Sequence, residues 1–138
     1  MQRRTKATEL LFAYGTLQDT ELQRILFGTA CVMRRAVLPG WKLHIAPEGW
    51  LFIKPDLAAT VSGSLLELDA AALQAADLWE EVPTLYQREK VTVLLDDEQQ
   101  EAWTYTRRTA TGVPYSGDAF SQFQREELLA IVRRSVVA

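Results

Sequence analysis

Two acidic residues at the predicted end of a helix are the first candidates for chemistry in this sequence. Glu80 and Glu81 follow an alanine-rich segment and precede Pro83. The helix must end shortly before that proline, because a proline disfavours helical backbone at the residue that precedes it. Negative charge is disfavoured near a helix C-terminus, and burial among apolar neighbours would raise the pKa of such a carboxyl group. A group of this kind can take and return protons near neutral pH. The alternative is that both are solvated surface acids.

A second candidate lies near the N-terminus, where an apolar run turns abruptly into a loop. Residues 10–13 predict a buried strand, and the following Tyr14-Gly15-Thr16-Leu17 segment contains a glycine that permits a sharp turn. Asp19 then predicts a helix N-cap, with Glu21 in the first turn. A strand, a glycine turn and a helix N-terminus form a corner whose backbone N–H groups can receive an anion. Since many such corners bind nothing, these residues alone leave a purely structural role open.

The remaining reactive residue types give weaker signals. Cys31 is the single cysteine and His44 the single histidine, so the sequence has no soft metal-ligand set and no internal disulfide, and we predict no metal site. His44 falls on the polar face of an alternating strand, and no serine or cysteine stands out as a nucleophile for it to activate. Tyr105 shares a predicted strand face with Trp103, a position typical of a core or cross-strand aromatic.

Three predicted helices must position the candidate groups. The first begins at Asp19 and ends at Gly28, and the second begins at Asp69 and carries Glu80 at its exit. A third is predicted after Asp118, which is a plausible N-cap for a final amphipathic segment.

The rest of the chain predicts strands joined by turns. Alternating or apolar segments predict strands over 30–38, 41–46, 50–53 and 60–68, with turns at Pro39-Gly40, Pro47-Glu48-Gly49 and Lys54-Pro55-Asp56. Gly63 inside the last of these strands predicts a bulge or a close approach by another backbone or a ligand. Residues 86–107 predict a hairpin that turns at Asp96-Asp97-Glu98.

Composition and charge limit the classes of function. A chain of 138 residues with 48% hydrophobic content predicts a single globular domain spanning residues 1–138. The net charge of −3 repels phosphate backbones on balance, so we expect no nucleic-acid partner. The basic cluster at Arg3, Arg4 and Lys6 is followed by too short an apolar run for a signal peptide or membrane anchor, which predicts a cytoplasmic protein. The sequence predicts no oligomeric state.

Taken together, the motifs have a recognisable order. They are Leu11-Phe12-Ala13-Tyr14-Gly15-Thr16-Leu17, Asp77-Leu78-Trp79-Glu80, Tyr86-Gln87-Arg88, Ala102-Trp103-Thr104-Tyr105 and Ser116-Gly117-Asp118. In this order and spacing, over roughly residues 9–125, the chain resembles the γ-glutamylcyclotransferase-like family, in the branch that includes γ-glutamylamine cyclotransferases.

The resemblance implies an α+β fold in which a small mixed β-barrel is flanked by about three helices. It also implies a reaction, in which the α-amine of a γ-glutamyl group attacks its own γ-carbonyl. The products are 5-oxoproline and a released amine, amino acid or peptide. Because nucleophile and electrophile belong to one molecule, the protein has to hold a small-molecule substrate in a reactive conformer and transfer protons. The resemblance implies no cofactor and no metal.

The resemblance also implies roles for particular residues. Glu80 would be the general base toward the attacking ammonium group and the acid toward the leaving amine. The backbone N–H groups of the Gly15-Thr16-Leu17 turn would hold the glutamyl carboxylate or the developing oxyanion. Tyr14 would shape the cavity wall, and Tyr105 would line the cavity near Glu80.

The chain departs from the family pattern at two positions, and these keep alternatives open. The family usually has glycine directly after its catalytic glutamate, where this chain has Glu81, and often an acidic residue where this chain has Ser64. The leaving group of the substrate is therefore not predicted. A catalytically inactive small-molecule-binding or regulatory module on the same fold is the alternative to an enzyme, and a third hypothesis is an interaction domain in which Glu80 is fully exposed.

Overall fold

The computed structural model describes residues 8–115. Within them the elements follow in the order β1 (Glu9–Ala13), a short 3-10 helix (Thr16–Gln18), α1 (Thr20–Phe27), β2 (Met33–Ile45), β3 (Leu51–Leu68), α2 (Ala70–Trp79), β4 (Gln87–Leu95), β5 (Glu98–Thr106) and β6 (Val113–Pro114). The third predicted helix, from Asp118 onward, lies outside the described residues.

Five of the strands close into a mixed barrel, which confirms the predicted fold class. Strand β1 pairs antiparallel with β3 and parallel with β5, and β5, β4, β2 and β3 then follow one another in antiparallel pairs, so that β3 closes the ring. The short β6 pairs with the C-terminal end of β2. Side chains alternate across β1, so that Phe12 packs with the barrel interior and Leu11 packs with the layer beneath α1 and α2.

The helix ends form as their sequence signals predict. Asp19 caps α1 by accepting hydrogen bonds from the backbone N–H groups of Glu21 and Leu22 at 2.8 and 3.1 Å, and Gly28 ends that helix at a φ of 85°. The Asp69 carboxylate caps α2 by accepting from the Ala72 N–H at 2.8 Å. These two caps fix the residues at which α1 and α2 begin.

Two predicted strand breaks are wrong. Pro39-Gly40 and Lys54-Pro55-Asp56 do not end strands, because β2 and β3 run through them as one long antiparallel pair. The register shifts there instead: Pro39 faces Thr60 and Trp41 faces Pro55, so a single β2 residue lies opposite residues 56–59. The prolines and the glycine are absorbed in a bulge rather than in two turns.

Gly63 confirms the prediction of a close approach. A Cβ atom at this position would lie 2.4 Å from the carbonyl oxygen of Ala13 and 2.8 Å from the Phe12 ring. Strand β3 can therefore pass this close to the end of β1 only without a side chain. The approach fixes the point at which β1 leaves the barrel and the loop that follows it begins.

Candidate active site

A cavity of about 590 Å³ lies between the loop after β1, the exit of α2 and the barrel. All six residues singled out from the sequence line it, namely Tyr14, Gly15, Thr16, Leu17, Glu80 and Tyr105. They come from three separate stretches of the chain, and the fold brings them to one place. Glu81, Trp79, Trp50, Tyr86 and Arg107 are also among the lining residues.

Glu80 is the C-cap residue of α2, and its backbone N–H still donates to the Ala76 carbonyl at 2.9 Å. The residue as a whole is half-buried, while its carboxyl group lies among groups that exclude water from it. This desolvation raises the pKa of Glu80 from its ordinary value of 4.5 to about 8. The carboxyl group can therefore exchange a proton near neutral pH, and the hypothesis of a fully exposed Glu80 does not fit the structure.

The loop after β1 contributes Gly15, Thr16 and Leu17 to the cavity lining. Its own hydrogen bonds run from the Gln18 N–H to the Gly15 carbonyl at 3.1 Å and from the Asp19 N–H to the Thr16 carbonyl at 3.0 Å. The N–H groups of Thr16 and Leu17 precede these bonds and, as at any helix start, have no partner within the helix. Gly15 turns the chain at a φ of −134°, so a left-handed backbone is not what makes the turn.

The loop and the helix exit are tied to each other. The Trp79 indole Nε1–H donates to the Thr16 hydroxyl oxygen at 3.3 Å, and Glu80 is the next residue along the chain. The turn and the exit of α2, which both line the cavity, are therefore joined by a direct side-chain contact.

Buried tyrosines form the walls of the cavity. The Tyr14 hydroxyl donates to the Tyr105 carbonyl at 2.7 Å, and the Tyr86 hydroxyl donates to the Leu51 carbonyl at 2.6 Å. Burial raises the pKa of Tyr14 and of Tyr86 well above the ordinary tyrosine range, and the nearby Glu80 carboxylate adds to both effects. Both phenols therefore stay neutral and hold the cavity shape.

Asp77 explains why several of the sequence motifs belong together. Its carboxylate accepts one hydrogen bond from the Tyr105 hydroxyl at 2.7 Å and a second from the Arg88 guanidinium at 2.9 Å. The last turn of α2 is thereby fixed to β5 and β4, one turn before Glu80. Tyr105 lines the cavity, but its hydroxyl is engaged by Asp77, and burial together with that hydrogen bond raises its pKa.

Glu81 has a left-handed backbone, with a φ of 54°, and its side chain is exposed at the cavity rim. Left-handed conformations are costly for residues with a Cβ atom and are readily adopted by glycine. This left-handed backbone explains why the family that the sequence resembles usually has glycine at this position. It also separates the two neighbouring acids, since Glu80 is desolvated and Glu81 is not enclosed.

We expect Glu81→Gly to stabilise the protein by about 0.5–1 kcal/mol, because relief of the left-handed strain exceeds the extra backbone entropy of glycine in the unfolded chain. Urea unfolding of both proteins would measure the difference. Glu81→Ala is the matched control, since it removes the same charge but keeps the Cβ atom. An equal gain in both variants would attribute the effect to charge and contradict the backbone explanation.

Sequence reasoning missed Arg107 and gave no role to Tyr86. The Arg107 guanidinium carbon lies 5.4 Å from the centre of the Tyr86 ring, and both residues line the cavity. A cation at the end of a strand is usually solvated, so the sequence pattern carried no signal for its position. His44, which was expected on the polar face of its strand, instead stacks its ring on Phe52, with the ring centroids 5.5 Å apart.

Residues 8–115 contain no cluster of three or more histidine, cysteine, aspartate or glutamate residues able to hold a metal ion. In the same part of the chain, no helix is long and apolar enough to cross a membrane.

Both the sequence and the fold of the chain are similar to those of known proteins. The model of a family described as gamma-glutamyl cyclotransferase, AIG2-like, matches residues 11–122. A search of curated proteins gave no match.

Several solved structures share the fold. An AIG2-like protein from Mus musculus is 24% identical with a TM-score of 0.70, covering 85% of this chain and 92% of its own. A protein from Arabidopsis thaliana is 18% identical with a TM-score of 0.70, covering 99% of this chain and 86% of its own. A structure titled gamma-glutamyl cyclotransferase is 16% identical with a TM-score of 0.69, covering 95% of this chain and 81% of its own.

Proposed function

This chain belongs to the gamma-glutamyl cyclotransferase, AIG2-like family, and we propose that it converts a γ-glutamyl compound to 5-oxoproline with release of the attached amine. The observation that supports this most directly is the Glu80 carboxyl group, whose pKa of about 8 allows proton exchange inside a cavity that the Gly15-Thr16-Leu17 turn also lines. Small-molecule cyclisation suits a cavity of about 590 Å³, which is within the usual range for ligand sites.

In the proposed reaction one C–N bond forms and another breaks at the same carbon. The α-ammonium group of the glutamyl moiety transfers a proton to the Glu80 carboxylate, and the resulting neutral amine attacks the γ-carbonyl carbon. The oxyanion that develops on the carbonyl oxygen, or the glutamyl carboxylate, accepts hydrogen bonds from N–H groups of the Gly15-Thr16-Leu17 turn. Glu80 then returns the proton to the leaving nitrogen as the second C–N bond breaks. It next takes the second proton of the new ring nitrogen and passes it to the released amine, so no proton is gained or lost overall.

The cavity walls have a separate role in the proposed reaction. A free γ-glutamyl chain has several rotatable bonds, and cyclisation requires its two ends to meet. Tyr14 and Tyr86 are fixed by their hydroxyl hydrogen bonds to backbone carbonyls, so the wall they form is rigid. A rigid, mostly apolar wall favours the folded substrate conformer in which nitrogen and carbonyl carbon are adjacent.

The function is tested by incubating the purified protein with γ-glutamyl amino acids, γ-glutamyl-lysine and glutathione and measuring 5-oxoproline. Formation of 5-oxoproline from any of these supports the proposal. Absence of product from every compound in the panel, with the protein folded, would contradict it.

The pH dependence provides a prediction for the role of Glu80. Because the carboxylate is the proton acceptor, kcat/KM should fall by about tenfold per pH unit below the pKa and level off above about pH 8. Initial rates between pH 4 and 9.5 would measure this midpoint. A midpoint near pH 4–5 would show that the acting carboxylate is solvated and would contradict the assignment to a desolvated Glu80.

A second candidate is a non-catalytic binding module on the same fold, and the two departures from the family pattern favour it. Glu81 occupies a left-handed position, and Ser64, where the family often has an acid, donates its hydroxyl to Gln18 Oε1 at 2.8 Å. Under this alternative, 5-oxoproline or a γ-glutamyl ligand would raise the melting temperature while no product formed. Measured turnover of a γ-glutamyl compound would exclude it.

A further inference from the structure

Arg107 brings a positive charge to the cavity wall. Among the cavity-lining residues described within 8–115, its guanidinium is the single cationic group, and Glu80 and Glu81 are the acidic ones. None of the ion pairs found within residues 8–115 involves Arg107. The neighbouring Arg108 differs, because it donates to the Glu89 carboxylate at 2.8 Å. Arg107 therefore contributes a charge that the described carboxylates do not neutralise.

Arg107 contacts Tyr86 both through its ring and through a hydrogen bond to it. Its guanidinium carbon lies 5.4 Å from the centre of the Tyr86 ring, and the Tyr86 hydroxyl is in turn held by the Leu51 carbonyl. The charge of Arg107 lowers the pKa of both Tyr14 and Tyr86 against the stronger effect of burial, so its field reaches the inner wall. A cation held in this way is preorganised to receive a carboxylate.

The cavity has a buried end and an open end. Tyr14, Leu17 and Tyr105 at the buried end are each less than 10% exposed. Trp50 and Leu78 are 44% and 77% exposed although they line the same cavity, so they form an apolar rim. A bound γ-glutamyl group at the buried end would therefore leave its amide substituent facing this rim.

We propose that Arg107 binds the carboxylate of the leaving group, while Trp50 and Leu78 contact its side chain, so that the substrates are γ-glutamyl derivatives of apolar amino acids. This inference rests on the proposed function. The N–H groups of the Gly15-Thr16-Leu17 turn and the Arg107 guanidinium then receive separate anionic groups of one substrate. A leaving group with a net positive charge is disfavoured, because it would meet a like charge at Arg107.

The test compares γ-glutamyl-leucine with γ-glutamyl-3-methylbutylamine, which differ only in the carboxylate of the leaving group. Calorimetric binding is measured in the Glu80→Gln background so that neither ligand is consumed, and turnover is measured with Glu80 present. We expect Arg107→Gln to weaken binding of γ-glutamyl-leucine by about 10–100-fold, the range for a hydrogen bond between charged groups. Binding of γ-glutamyl-3-methylbutylamine should weaken by less than about threefold. Arg107→Lys should recover part of the selectivity because it keeps the charge.

Arg108→Gln is the matched control, since it removes the same charge at the adjacent position outside the cavity lining, and it should leave the selectivity unchanged. Equal losses for both ligands in Arg107→Gln would assign Arg107 to the glutamyl carboxylate and overturn the proposal, as would no loss for either. Selective binding without turnover would contradict the proposed function and leave the Arg107 assignment standing. Absence of binding by both ligands would contradict both.

Discussion

Replacing Glu80 by glutamine is expected to lower kcat for 5-oxoproline formation by about 10²–10⁴-fold, the usual contribution of a positioned acid or base. Glutamine keeps the size of the side chain at the C-cap of α2 but can neither accept the proton of the attacking nitrogen nor deliver one to the leaving nitrogen. Because the substrate still fits the cavity, KM should change much less than kcat. Single-turnover measurements of 5-oxoproline at pH 8 would separate the two.

Glu81→Gln is the matched control for this experiment, since it removes the adjacent carboxylate from the exposed rim without touching the desolvated one. We expect it to retain activity within a few-fold of the unaltered protein. Full activity in Glu80→Gln would exclude Glu80 as the acid and base. Loss confined to Glu81→Gln would move the role by one residue.

The elements beside the site could be predicted because their signals are local. An aspartate at a helix start can accept hydrogen bonds from the N–H groups two or three residues later, which is a local preference, and Asp19 and Asp69 both act in this way. The turn before Pro83 follows from the same kind of rule. These signals placed the candidate loop and Glu80 at element ends, where side chains and N–H groups are accessible.

The long strands could not be predicted because their continuity depends on partners distant in sequence. Pro39 and Pro55 each lack an N–H group, which locally favours a turn. In the folded barrel they lie beside the shift in register between β2 and β3, where the ladder is already interrupted. Pairing along the rest of the two strands then keeps the backbone extended through both prolines.

The sequence identified most of the residues of the candidate site but few of the contacts between them. Asp77 and Arg88 entered through the resemblance alone, and only the fold shows that Asp77 joins Arg88 to Tyr105. Arg107 had no sequence signal, because its approach to Tyr86 depends on the hairpin register that brings the end of β5 beside the start of β4. Contacts of this kind are set by tertiary pairing and not by local pattern.

The same burial that tunes Glu80 should lower the stability of the fold, and this effect has a definite pH dependence. In the unfolded chain the carboxyl group ionises near its ordinary pKa of 4.5, whereas in the folded chain it keeps its proton up to about pH 8. Between these values the folded state binds more protons than the unfolded state, so the free energy of unfolding falls as pH rises. The stabilising contribution of the protonated group is complete below pH 4.5 and lost above about pH 8.

Glu80→Gln should therefore become more stable than the unaltered protein as pH rises. Relative to its value at pH 4, the difference in free energy of unfolding should reach about 2–4 kcal/mol at pH 9, somewhat below the limit set by the full pKa change because an ionised carboxylate can relax toward water. Urea unfolding of both proteins at several pH values from 4 to 9 measures it.

Glu81→Gln controls for the loss of one negative charge from the neighbouring, exposed position. A difference between Glu80→Gln and the unaltered protein that stays constant with pH would mean that the Glu80 carboxyl group titrates alike in the folded and unfolded chains. Such a result would remove the physical basis for proton transfer near neutral pH, even if the activity of Glu80→Gln were low. A rise in stability together with the loss of activity would instead identify the desolvated carboxyl group as the source of both.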